Sequence, residues 1–227
     1  MCVIVYKPKG KGLPPEVELE AMFAANPDGA GFAYASDGDD RVSWSKGYFD
    51  PFDFMAEVAM AEQGDRAMLL HMRWATHGTI NSSNCHPFPF STCFTRMGRM
   101  TGSSKRGVLA HNGVLHNKIV REGASDSMQA VSDIARCGLH AKVDTPSGKR
   151  VLEMLFKGSR SASILPGGKV VLTGDWILTQ SGCYVSNTRW KKHLPMRRVR
   201  TRGKRSKKQR DKIREVRENW RDQTMLF

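Results

Sequence analysis

The sequence predicts an α+β fold, with helices packed on antiparallel sheets and a basic extension behind them. Three observations carry this. Short apolar runs of strand length recur towards both ends of the body, and segments with helical periodicity lie between the early and late ones. With 227 residues, 40% apolar and 26% charged, the chain suits one globular domain with a full core. The net charge of +14 is also uneven: residues 189–227 hold 16 Lys/Arg against 4 Asp/Glu, whereas the rest is almost balanced.

In chain order, strands are expected at 2–6 (CVIVY), 31–35 (GFAYA), 42–46 (VSWSK) and 67–72 (AMLLHM). Later ones fall at 107–111 (GVLAH), 169–172 (KVVL) and 183–186 (CYVS). Helices are expected at 15–25, entered through a proline near the first turn, and at 52–63, 127–137 and 149–157. The stretch PFPFSTCFTRMGRMTGSSKRG, 87–107, lacks a clean period and reads as a long loop, a length that itself suggests function. No internal repeat is visible.

Some function classes are excluded early. No apolar run approaches the roughly 18 residues of a membrane span, and the opening MCVIVYKPKGKG has its apolar and basic parts in the wrong order for a signal peptide. The five cysteines, Cys2, Cys85, Cys93, Cys137 and Cys183, are odd in number and form no CxxC pair. They fit free thiols in a reducing cytoplasm.

Cys2 stands directly behind Met1. Trimming of that methionine leaves a residue with both a thiol and a free α-amine. The amine's reference pKa of roughly 7.7–8.0 suits it to act as base for the thiol. Three further stretches stand out: HMRWATHGTINSSNCHPF (71–88), AHNGVLHN (110–117) and SDS (125–127). With Cys2 and the earlier PDGAG (27–31), they resemble the glutaminase domain of the class II glutamine amidotransferases. These are N-terminal-nucleophile hydrolases, and the group includes glucosamine-6-phosphate synthase, amidophosphoribosyltransferase and asparagine synthetase. RWATHG followed by NCHPF is most similar to the synthase.

The resemblance covers residues 2–190 and implies a four-layer αββα sandwich there, with 191–227 as a basic tail. It also implies roles. Cys2 attacks the carboxamide carbon of L-glutamine, giving a thioester and ammonia, and water then releases glutamate. Asn112 and Gly113 hold the oxyanion. Arg73 reads the α-carboxylate, with Thr76 and His77 completing that pocket. Asp126 reads the α-ammonium, and Trp74 matches a residue implicated in gating ammonia. No cofactor is implied.

Blander readings stand beside these. Arg73 and Asp126 also fit ordinary surface or paired charges, and His71, His86 and His111 fit hydrogen-bonded fold residues better than catalysts. The histidines at 71, 77, 86, 111 and 116 cluster in sequence, but without HExxH or tight Cys/His pairing no metal is expected. One departure is clear: Ala25 stands where the family carries an arginine three positions before the early aspartate, here Asp28. No synthetase, isomerase or phosphoribosyltransferase sequence follows, so ammonia is expected to pass to a separate acceptor enzyme or to be released as by a plain glutaminase.

The tail reads as a basic run followed, from Asp211, by a short amphipathic helix bearing Ile213, Val216 and Trp220. It suits a solvated appendage, an attachment to nucleic acid, or docking to an acidic partner. Two alternatives to the main reading remain: hydrolysis of a different amide through Cys2, or a non-catalytic nucleic-acid-binding protein on an amidotransferase scaffold.

Overall fold

A computed structural model describes residues 2–76, 78–115 and 120–195. The first half carries β1 (Val3–Lys7), α1 (Glu16–Ala25), β2 (Ala30–Ala35), β3 (Val42–Tyr48), α2 (Pro51–Ala61) and β4 (Ala67–Met72). Then come β5 (Phe88–Pro89), a single helical turn α3 (Phe94–Met97), β6 (Thr101–Ser104) and β7 (Val108–Asn112). The remainder holds α4 (Asp126–Arg136), α5 (Pro146–Leu155), β8 (Arg160–Ile164), β9 (Val170–Thr173), β10 (Ile177–Leu178) and β11 (Tyr184–Val185).

Two antiparallel sheets result. The larger has the order β10-β11-β1-β4-β2-β3-β6 and the smaller β5-β7-β8-β9. Successive strand residues point to opposite faces, and here both faces are covered. Val3 and Val5 of β1, with Met68, Leu70 and Met72 of β4, pack against Leu19, Met22 and Phe23 of α1 and Phe54 and Val58 of α2. On the opposite face, Ile4 and Leu69 join Val108, Ala110, Ala162 and Ile164 of the smaller sheet. That sheet's other face, through Leu109 and Val171, meets Met128, Val131 and Ile134 of α4 and Leu152 of α5. Burial on both faces explains why the central strands read as apolar runs rather than alternations.

Helix starts follow side-chain chemistry. Asp50 accepts from Phe52 N and Asp53 N, Ser125 from Met128 N, and Thr145 from Gly148 N, each satisfying a free helix N–H. With Pro51 and Pro146 in the first turn, α2 and α5 begin earlier than the expected 52 and 149.

The expected loop at 87–107 needs correction. It contains β5, α3 and β6, and β6 forms an edge of the larger sheet by pairing Val42↔Ser104 through Ser45↔Thr101. Its TGSS sequence carries little strand signal, but a Cβ on Gly102 would strike the Trp44 indole, so small residues are what this edge admits. β8 and β10 were also not anticipated. RSASI lacks β-branched alternation because Ser161 and Ser163 are buried inside the sheet, Ser161 Oγ bonding Thr173 Oγ1 at 2.7 Å.

The compact unit extends to Leu194. A 3₁₀ turn, Arg189–His193, buries Trp190 against the α1 side of the core. The helix expected from Asp211 lies outside the described residues.

Candidate active site

The β1–β4 ladder decides where the first thiol goes. Val3 pairs with Met72, so the residue before β1, Cys2, meets the residues that leave β4, Arg73 and Trp74. Trp74 N donates to Cys2 Sγ at 3.3 Å, and the thiol faces Trp74 O at 3.5 Å. Cys2 is half-buried. Burial raises its thiol pKa above the ordinary 9.0, against the lowering pull of the Trp74 backbone, the chain's N-terminal charge and Arg73. The thiol is therefore mostly protonated near neutrality, and nucleophilic use requires a base beside it.

The 73–75 segment is stapled by the early aspartate–glycine pair. Asp28 N donates to Arg73 O at 3.0 Å, Arg73 N to Gly29 O at 2.8 Å, and Ala75 N to Asp28 Oδ2 at 2.8 Å. Gly29 adopts φ +108, and a Cβ there would press on Cys85 Sγ and the Phe49 ring. Asn26, which follows Ala25, ends α1, its Nδ2 donating to Met22 O at 2.8 Å.

Arg73 is only 3% exposed, and its Nη1 donates to Thr79 O at 3.0 Å. Asn84, fully buried, ties that same loop to the one leading into α4, donating to Thr79 O and to Gly123 O, both at 3.2 Å. Three residues beyond Gly123, Asp126 accepts from Leu115 N at 2.9 Å through Oδ2 and from Ser127 N at 2.7 Å through Oδ1. The chain thus links the arginine loop to the aspartate loop; Ser127 Oγ also donates to Oδ1 at 3.2 Å, so it is Oδ2 that keeps a further acceptor lone pair. Thr76 is exposed, Trp74 is 47% exposed, and His77 lies outside the described residues.

Asn112 ends β7. Its Nδ2 donates to Ser186 Oγ at 2.9 Å, and the same oxygen accepts from Ile4 N at 2.9 Å. The second N–H of that amide remains for another acceptor. Gly113 follows with its backbone against Ser159: a Cβ would collide with the Ser159 side chain, so only glycine fits. Asn187 Nδ2 donates to Cys2 O at 2.7 Å. Ser186, Asn187 and Asn84 were not anticipated from the sequence. Their place follows from which strands pair, above all β11 with β1.

The central histidines stand behind this face. His71 Nε2 meets His111 O at 3.2 Å, His111 Nδ1 meets Ser127 Oγ at 2.8 Å, and the His71 and His86 rings pack at a tilt with centroids 4.1 Å apart. Burial lowers His71 to about 3 and His111 to about 4, and pushes His86 well below its usual value. All three stay neutral at physiological pH. Among the described residues, no three His, Cys, Asp or Glu side chains converge as a metal ion would require. Lys46, buried, donates to Ser83 O at 3.0 Å and Met97 O at 2.6 Å, and burial lowers it to about 7. A cleft of about 540 Å³ between Tyr6, Tyr184 and the Asp144–Lys169 pair shares none of these site residues.

No protein-family model matches this sequence, and neither does any curated protein. Among the solved structures similar to it are an amidotransferase and a purine-biosynthesis enzyme. One is the glutamine phosphoribosylpyrophosphate amidotransferase from B. subtilis complexed with ADP and GMP: 16% identity, TM-score 0.46, covering 82% of this chain and 41% of that one. The other is described as the allosteric regulatory enzyme of purine biosynthesis: 16% identity, TM-score 0.46, covering 86% of this chain and 43% of that one. The chain spans less than half the length of either. At that similarity, function has to be argued from the chain's own geometry.

Proposed function

We propose that this chain is a glutamine amidotransferase of the class II, N-terminal-cysteine type, hydrolysing glutamine and supplying ammonia to a separate acceptor enzyme. One observation carries the reading. Ser186 Oγ bonds both Asn112 Nδ2 and Ile4 N, so the expected oxyanion amide is tied two residues from the expected nucleophile. The order of the three core clusters, helix–sheet, sheet–sheet and sheet–helix, supports the four-layer αββα arrangement that this chemistry uses.

The steps follow from the geometry. With Met1 removed, the α-amine takes the proton of the high-pKa Cys2 thiol as sulfur attacks the glutamine Cδ. The carbonyl π electrons move onto oxygen, where Asn112 Nδ2 and Gly113 N stabilise the charge. Collapse breaks the C–N bond, the ammonium proton passes to the leaving nitrogen, and ammonia departs from a thioester. Water, deprotonated by the same amine, then adds to the thioester and expels Cys2 to give glutamate. Arg73, buried and held at Thr79 O, suits the α-carboxylate. Asp126, linked to the same loop through Asn84, suits the α-ammonium, and Thr76 and His77 are proposed to complete the carboxylate pocket. Trp74, exposed beside Cys2, suits the ammonia-gating role that the resemblance implies.

A steady-state assay tests this directly. Glutamate and ammonia should form in equal amounts from glutamine, and amides lacking the α-carboxylate or α-ammonium should react at least roughly a hundredfold more slowly. Equal rates on all of these would favour a general amidase instead.

The motifs RWATHG and NCHPF favour a resemblance to the glutaminase domain of glucosamine-6-phosphate synthase. All five cysteines are free, and no helix among the described residues is long and apolar enough to cross a membrane, which supports a cytoplasmic setting. The 16 Lys/Arg of residues 189–227 favour a second reading for that segment alone, attachment to nucleic acid. Deleting 203–227 should then preserve glutamine hydrolysis while flattening the salt dependence of DNA or RNA binding. Unchanged binding would argue for a solvated appendage.

A further inference from the structure

We propose that Ser186 and Asn187 are positioning residues that hold the nucleophile and the oxyanion amide in one geometry, an inference that rests on Cys2 acting as the nucleophile. The need for such a device is physical. Once Met1 is gone, Cys2 is the end of the chain, and terminal residues fray unless tied down. Its thiol and amine both hang from one Cα, so their direction depends on the peptide unit that follows.

Asn187 pins that unit by donating Nδ2–H to Cys2 O at 2.7 Å. Asn187 is itself braced. Its Oδ1 accepts from Arg189 N at 3.1 Å, and its backbone oxygen accepts from Trp190 Nε1 at 2.9 Å. Trp190 is buried in the core beside α1, so the brace is anchored in packing rather than in solvent.

Ser186 does the complementary work one residue earlier. Its N–H donates to Ile4 O at 3.0 Å, while its hydroxyl oxygen accepts from Ile4 N and Asn112 Nδ2, both at 2.9 Å. Ser186 is almost fully buried, so water cannot readily replace its hydroxyl. The dipeptide therefore grips Cys2 by its carbonyl and Asn112 by its amide. It sets the distance between the sulfur that attacks and the donor that receives the negative charge. The hydrogen bonds of the two side chains run to Cys2 O, Ile4 N, Asn112 Nδ2 and Arg189 N, apart from those that join Asp126 to Leu115 and Ser127 and Arg73 to Thr79.

That separation shapes the test. Asn187→Ala and Ser186→Ala should each lower kcat roughly tenfold or more, because loss of alignment near the reacting atoms acts on the chemical step. KM for glutamine should stay within about twofold. The rate at which 6-diazo-5-oxonorleucine labels Cys2 should fall in parallel with kcat. Thermal melts run alongside show that the variants are folded. Asn187 is half-buried and decides the matter should Ser186→Ala fail to fold. Folded variants that keep kcat and labelling within about twofold of the parent overturn this inference alone, as does a change confined to KM. A parent protein that releases no glutamate and takes no label overturns both this inference and the amidotransferase reading.

Discussion

The main chain of Trp74 holds the sulfur of Cys2 from two directions, its N–H donating at 3.3 Å and its carbonyl facing the thiol at 3.5 Å. This bracket orients the thiol but does not ionise it, because burial outweighs the donor and leaves the pKa above 9.0. The base has to come from elsewhere, and in the proposed mechanism it is the amine on the same residue.

The pH dependence of alkylation follows. With iodoacetamide, which cannot exploit the glutamine pocket, Cys2 should react slowly at neutral pH and faster as pH rises through and beyond about 9. Peptide mapping of the alkylated protein across that range measures it. A Cys2 already fully reactive near pH 7 would show that the thiolate is stabilised by something not accounted for.

Arg73 and Asn112 should fail in different ways. Arg73→Ala removes binding of the α-carboxylate and should raise KM with a smaller effect on kcat. Arg73→Lys should rescue little, since a point charge cannot reproduce a planar fork. Asn112→Ala should lower kcat by roughly a hundredfold or more, as the oxyanion exists only after attack. Unchanged kcat in Asn112→Ala would remove the residue from the oxyanion site.

Gly113 is a steric test. A Cβ there meets the Ser159 side chain and lies near His111 Nε2. Gly113→Ala should cost about 1–3 kcal/mol of stability and depress activity by displacing its N–H. Ser159→Gly on the same background should recover stability, measured by denaturant melts. No recovery would mean that the strain lies elsewhere.

The buried histidines set the acid limb of stability. In the unfolded chain they titrate near 6.5, whereas the folded chain holds His71 at about 3 and His111 at about 4, with His86 also well down. Below pH 6.5 the unfolded chain binds protons that the folded chain does not, so stability falls as pH drops from 6.5. His86→Phe keeps a ring against His71 and Phe88 and removes two nitrogens that lack partners. It should spare about 2 kcal/mol of the loss at about pH 5. An acid limb identical to that of the parent would contradict this.

Much of this was visible in the residues themselves. β4 spans the same 67–72 as its apolar run, and Cys2 meets Trp74 because the first strand pairs with the one that leads into RWATHG. The serine-rich β8 was hidden because its side chains are chosen for narrow space between neighbours rather than for strand propensity. Ser186, Asn187 and Asn84 were hidden for a different reason. Each acts through a bond to a residue distant in sequence, and nothing local to YVSNT or SSNCH records which strand will lie alongside.

The central claim is that Cys2, freed of Met1, is the glutamine nucleophile. Intact-mass analysis before and after treatment with 6-diazo-5-oxonorleucine, followed by peptide mapping, tests it most directly. The account expects a chain lacking Met1, one adduct per molecule, and that adduct on Cys2. A chain that retains Met1, or an adduct carried by Cys85 or Cys93 while Cys2 stays free, would contradict it.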